Sequence, residues 1–111
     1  MIESGSEIRD VGTDDLRSGL ADGSILVVDV REPNEHGGGM IPGSLSMPLS
    51  RFDPSALPTG EGKRIVFSCA AGFRSRVAIE VSRRAGLDLS EHYLPGFKGW
   101  VAAGGAVEPY G

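Results

Sequence analysis

The sequence predicts a parallel α/β fold, and three observations point to it. Ile25 to Val30 and Arg64 to Ser68 are near-continuous apolar runs rich in β-branched residues. They lack the polar alternation of a half-exposed strand, so each fits a parallel strand covered on both faces. Segments with helical spacing alternate with the strand-like runs along the whole length, which is the order of a parallel sheet with covering helices. The only cysteine, Cys69, ends the second run, and strand carboxyl ends are where open α/β sheets bind ligands.

Taken in order, Ile8 to Val11 is a short candidate strand. Thr13 has the chemistry of a helix N-cap, with Asp14 and Asp15 in the first turn and Leu16 and Leu20 on one face. After the strand at Ile25 to Val30, Pro33 and Glu35 favour one or two helical turns, and Gly37-Gly38-Gly39 then favour a loop. Met40 to Ser44 reads as a turn, Leu45 to Met47 as a very short strand closed by Pro48, Ser50 to Leu57 as a weak helix or turn broken at Pro54, and Pro58 to Gly62 as a loop. A helix is predicted from Arg76 to Ala85, with Val77, Ala78, Val81 and Ala85 as its apolar stripe and Gly86 as its stop. His92 to Leu94 is a last short strand, and Phe97 to Ala103 a final helix with Trp100 inward.

Composition sets bounds. With 111 residues, 40% of them hydrophobic, the chain suits one domain with a modest core. No apolar run approaches the about 20 residues of a membrane span, and Met1 to Glu7 lacks the apolar stretch of a signal peptide; a cytoplasmic location without a membrane partner is expected. One cysteine forms no internal disulfide, and beside only two histidines, His36 and His92, a dedicated zinc site is not expected. A net charge of −4 and a pI near 5.1 argue against nucleic acid as a partner. From Lys63 to Arg84, however, six basic residues stand against one acid, Glu80, giving a local +5 expected to surround the cysteine loop.

That loop carries the chemistry. Thiolate is the nucleophilic form of cysteine, and from a free pKa of about 8.5 little of it exists near neutrality. The predicted stabilisers are the N–H groups of Ala70 to Ser75, the following helix N-terminus and the Arg74 guanidinium. Ala70 and Ala71 leave room for the backbone to curl around sulfur, Gly72 permits a positive φ, and Ser75 reads as N-cap and donor to sulfur. The bland reading of Cys69 is an inert buried small hydrophobe.

Cys69-Ala70-Ala71-Gly72-Phe73-Arg74-Ser75 resembles the active-site loop of the rhodanese-like sulfurtransferases. Val28-Asp29-Val30-Arg31-Glu32 with Gly39-Met40-Ile41-Pro42-Gly43-Ser44, and Leu94 to Trp100 with Ala103-Gly104-Gly105, resemble two further signatures of that family in the same order. The chain departs at Met40, where the family usually has histidine, and in having no basic residue at Ala70 or Ala71. The resemblance implies a three-layer fold over residues 7–108, with a parallel sheet of about five short strands, a flexible start at 1–6 and a tail at 109–111. It also implies a two-step reaction. Cys69 takes sulfur from thiosulfate or a persulfide and passes it to cyanide, a small thiol or a thiol-bearing protein, without metal or organic cofactor. Arg74 is then the second catalytic residue, pairing with the donor's anionic group, and Ala70, Ala71, Gly72, Phe73, Ser75 and Arg76 form the substrate-binding loop.

Blander roles compete. Arg74 can be a salt bridge to a loop carboxylate, and Arg31 reads as pinning its loop through Asp29 or Glu35. His36 and His92 have no partner at motif spacing and read as ordinary surface or strand residues. Two other functions compete as well: a non-catalytic binding module of this fold, and a cysteine-dependent phosphatase or arsenate reductase. Phosphatases that share this fold place five residues between cysteine and arginine, whereas Cys69 and Arg74 have four between them.

Overall fold

The computed structural model describes residues 8–70 and 73–109. Among them, β1 (Arg9–Asp10), β2 (Ile25–Asp29), β3 (Leu45–Ser46), β4 (Arg64–Ser68) and β5 (Glu91–His92) form one parallel sheet in the order β1-β5-β4-β2-β3. The helices are α1 (Thr13–Asp22), α2 (Phe73–Arg84) and α3 (Gly96–Ala102). Successive residues of the central strands point to opposite faces and feed two cores. Val27 and Val66 join Leu16 of α1, Tyr93 and Trp100 of α3 on one face. Val28 and Phe67 join Cys69 and Ala78 and Ile79 of α2 on the other. The result is the three-layer α/β arrangement expected.

Strand order locates the site. From β2 the chain moves outward to β3, then crosses back to β4 and continues through β5 the other way. The connections therefore diverge above the carboxyl ends of β2 and β4, where an α/β sheet leaves a crevice. Asp29, Arg31 and Cys69 stand at those ends.

Several local expectations change. Gly12, in extended conformation, is the cap of α1; Thr13 starts the helix, and its hydroxyl shares a 2.7 Å hydrogen bond with the Tyr93 hydroxyl instead. The turn after β2 is a 3₁₀ helix over Pro33–Gly38, so it continues through two of the glycines. Pro58 to Gly62 contains a 3₁₀ turn over Thr59–Glu61. Helix α2 begins at Phe73, three residues before the predicted Arg76, so Ser75 lies inside its first turn and is not the N-cap. Its buried face is Ser75, Ala78, Ile79 and Ser82, while Val77 and Val81 are half-buried and Ala85 is exposed. Two serines sit on that face because their hydroxyls have internal partners; Ser82 donates to the Ala78 carbonyl at 2.8 Å. Gly86, at φ 91°, ends the helix as predicted. Among the described residues no helix is long and apolar enough to cross a membrane. The predicted flexible start at 1–6 and residues 110–111 of the tail lie outside the described residues.

Candidate active site

Cys69 follows β4 directly and is 1% exposed. Its carbonyl accepts from the Phe97 N–H at 2.7 Å, and the Ala70 carbonyl accepts from the Lys98 N–H at 3.3 Å. The first turn of α3 therefore grips the chain as it leaves the strand. Gly96 makes that approach possible: its φ is 66°, and a Cβ there would lie 2.4 Å from the Cys69 oxygen and 2.5 Å from the Ala70 oxygen. Gly96→Ala must push α3 off this segment and strain the backbone, and an unfolding free energy lowered by about 2 kcal/mol or more is expected. A change below about 0.5 kcal/mol in denaturant melts would refute the close contact. The amides of Ala71 and Gly72, and the predicted positive φ of Gly72, lie outside the described residues.

Across the crevice, Arg31 is 3% exposed and makes a forked pair with Asp29, with Nε 3.1 Å from both carboxylate oxygens and Nη2 2.9 Å from Oδ2. It also donates to the carbonyls of Glu35 at 3.2 Å and Gly39 at 2.9 Å, and stacks 4.2 Å from the Phe97 ring centre. The predicted pinning role of Arg31 is therefore seen, through Asp29 and two carbonyls. What it pins is the 3₁₀ turn that presents Glu35 to the cysteine loop.

Glu35 meets Arg74. The guanidinium donates to both carboxylate oxygens, at 2.5 and 2.8 Å, with both side chains about 30% exposed. Arg74 thus forms the salt bridge that competed with its donor-binding role. That bond, aided by the Glu32 N–H and opposed by partial burial, holds the Glu35 carboxyl down at about 2 from an ordinary 4.5. Glu35 in turn raises the pKa of Arg74 further, and Cys69 adds a smaller electrostatic contribution. A depressed carboxylate favours the folded state above its unfolded pKa, and that contribution is lost as pH falls through 4.5 toward 2. Thermal melts across this window should show a shallower acid slope for Glu35→Gln than for the parent chain. Parallel slopes would mean that other carboxylates govern acid unfolding.

The positive surround predicted from the local +5 needs correction. Arg64 stands at the opposite end of β4 from Cys69 and is bonded to Glu91 at 2.9 Å and Asp15 at 3.1 Å. Arg83 donates to the Leu89 carbonyl at 3.0 Å. Of the six basic residues in this window, Arg74 and Arg76 lie at the start of α2, directly after the loop; Arg76 is exposed, and Phe73 is 77% exposed. Ala70 is half-buried.

Sequence reasoning missed one group. His92 is buried, its Nδ1 2.8 Å from Ser75 Oγ and its Nε2 2.7 Å from Asp10 Oδ1, and Ser75 Oγ lies 3.9 Å from Cys69 Sγ. His92 is a strand residue, as one of its two readings had it, but its two polar contacts make it more than an ordinary one. No spacing signal reveals it, because Asp10, Ser75 and His92 come together only when β1 pairs with β5 under α2.

A protein-family model described as a rhodanese-like domain matches residues 12–103. An uncharacterized protein of Synechocystis is 42% identical over 81 residues, 73% of this chain, which spans only 45% of that protein's length. Human thiosulfate:glutathione sulfurtransferase is 30% identical over 105 residues, covering 82% of this chain and 91% of that protein. The crystal structure of a rhodanese-related protein from Thermoplasma volcanium superposes with a TM-score of 0.77 at 30% identity, covering 92% and 99% of the two chains. With the parallel sheet, the cysteine at the end of β4 and a family model matching most of its length, this chain belongs to the rhodanese-like domain family.

Proposed function

We propose that the chain is a sulfurtransferase that carries a sulfane sulfur as a persulfide on Cys69. The observation that supports this most directly is the position of Cys69 in the sheet crevice, with Arg74 in the first turn of the helix that follows. In the first half-reaction the Cys69 thiolate attacks the outer sulfur of thiosulfate or an organic persulfide. A Cys69 S–S bond forms as the donor's S–S bond breaks, and sulfite or a thiolate leaves with the electron pair. In the second, an acceptor thiolate or cyanide attacks the terminal sulfur, giving a new persulfide or thiocyanate and returning Cys69 as thiolate.

Arg74 orients the anionic end of the donor, while Ala70 to Ser75 and Arg76 form the wall against which it rests. No metal or organic cofactor enters these steps. The human relative's name includes glutathione, which makes a small thiol the favoured acceptor. We place the reaction in the cytoplasm, where a single thiol stays reduced.

Mass spectrometry tests the reading. After thiosulfate, the chain should gain the mass of one sulfur, lose it to a reductant or cyanide, and gain nothing as Cys69→Ser. No uptake by the parent chain from either donor would favour a non-catalytic module. Cys69-dependent hydrolysis of an aryl phosphate would favour a phosphatase.

A further inference from the structure

Two side chains that the proposed reaction leaves unused, His92 and Asp10, complete a line of hydrogen bonds that starts at Cys69. Sγ lies 3.9 Å from Ser75 Oγ, a long contact suited to a sulfur donor; Ser75 Oγ is 2.8 Å from His92 Nδ1, and His92 Nε2 is 2.7 Å from Asp10 Oδ1. Ser75 and His92 are 0% and 1% exposed, whereas the Asp10 side chain is 59% exposed. The line therefore runs from a buried sulfur to water. Sheet register builds it: Phe67, His92 and Asp10 are lateral partners in β4, β5 and β1, so they share the face that α2 covers, and the early start of α2 sets Ser75 over that face.

The proton positions follow from what each group can accept. A carboxylate only accepts, so Nε2 carries the hydrogen toward Asp10, and neutral His92 presents Nδ1 as acceptor for the Ser75 hydroxyl. Ser75 Oγ then accepts from the Cys69 S–H. Moving one proton along this line conserves every atom: the thiol gives its hydrogen to Oγ as Oγ gives its own to Nδ1. The product is a thiolate receiving the turned Ser75 hydroxyl, and an imidazolium donating to Ser75 Oγ and to Asp10. No oxidant or reductant is involved.

We propose that His92, oriented by Asp10, takes the Cys69 proton through Ser75 and holds the resulting thiolate opposite an imidazolium. Both are positioning residues, since neither touches a sulfur donor or acceptor. Among the described residues, the charged and titratable groups facing His92 are Asp10 from β1 and, through Ser75 of α2, Cys69 at the end of β4; its β4 neighbour Phe67 is apolar. On the adjacent positions Arg9 and Glu91 pair with each other at 3.8 Å. The inference rests on Cys69 as the nucleophile, but its test reads ionisation and not sulfur transfer.

Thiolate ultraviolet absorbance, taken as the difference from Cys69→Ser, is titrated for the whole chain, His92→Asn and Asp10→Asn, with iodoacetamide alkylation rates beside it. Asparagine retains hydrogen bonding at position 92 but cannot take a proton. His92→Asn should raise the Cys69 midpoint by about one pH unit or more, lowering the thiolate fraction at neutrality about tenfold. Asp10→Asn, at an exposed carboxylate, should move it the same way by less. Unfolding midpoints of both variants separate a packing role: a less stable His92→Asn whose Cys69 midpoint stays in place overturns the proposal. Should that variant fail to fold, an unmoved midpoint in Asp10→Asn overturns it equally. A shifted midpoint in a chain that takes up no sulfur leaves the relay standing and removes the sulfurtransferase reading instead.

Discussion

Replacing Glu35 by glutamine will lower the thiosulfate KM about ten- to a hundredfold, with kcat and the use of an organic persulfide nearly unchanged. Thiosulfate is a small dianion, and Arg74, the guanidinium in the first turn of α2, is engaged at both Nη nitrogens by the Glu35 carboxylate. The donor must share or displace that carboxylate and also feel its repulsion. Hydrogen bonds to a charged group contribute roughly 1.5–3 kcal/mol, and each 1.4 kcal/mol is about tenfold in affinity. Glutamine keeps an oxygen for the Glu32 N–H, which Glu35 accepts at 2.9 Å, so the turn keeps its shape while the charge is lost. The gain is expected in KM because contact with the sulfonate end is the same in ground and transition states. A persulfide donor depends less on that contact, since its organic body has Ala70 and the 77% exposed Phe73 to lie against. Steady-state kinetics with both donors at two salt concentrations decide the matter. An unchanged thiosulfate KM would show that Glu35 does not limit access to Arg74.

Asp29→Ala should cost about 3–5 kcal/mol of stability, the largest loss expected from a single polar substitution here. It strands Arg31, 3% exposed, with carbonyl partners and a face of Phe97, and its remaining counter-charge is the Glu35 carboxylate, which is forked to Arg74. A domain of this size is stable by about 5–15 kcal/mol, so the variant sits close to unfolding. Exchanging the pair together, Asp29→Leu with Arg31→Met, should recover much of the loss, because an apolar pair leaves no charge buried. Denaturant midpoints of the single and double variants measure both effects. A loss under 1 kcal/mol for Asp29→Ala would place the pair among ordinary solvated salt bridges.

The central strands were legible because burial on two faces leaves its mark within each strand: Ile25 to Asp29 and Arg64 to Ser68 match the apolar runs almost residue for residue. Strands β1, β3 and β5 are two residues long each, too short to carry a pattern, and their bounds shifted accordingly. Cys69 and its place at a strand end could be read for the same local reason. The partners of the loop could not. Ser75 has N-cap chemistry in isolation, but its hydroxyl belongs to His92, 17 residues on. Arg74 sits in a basic window, yet its charge is answered by Glu35 from 39 residues earlier. Counting charge along the chain also joined Arg64 to the site, although the strand between them carries it to the far end of the sheet.

The pairing of β1 with β5 bears on when the surroundings of Cys69 assemble during synthesis. Asp10 and His92 are 82 residues apart, and both β5 and the α3 turn that grips the Cys69 carbonyl lie beyond the cysteine in the chain. A nascent chain that has reached residue 90 already holds Cys69, Ser75 and Asp10, but not His92, Phe97 or Lys98. Contacts so distant in sequence form late and slowly. Until they do, Cys69 has neither its line of contacts to Asp10 through Ser75 and His92 nor the grip of α3 on its carbonyl, and both wait for the segment from Glu91 to Lys98 to be made.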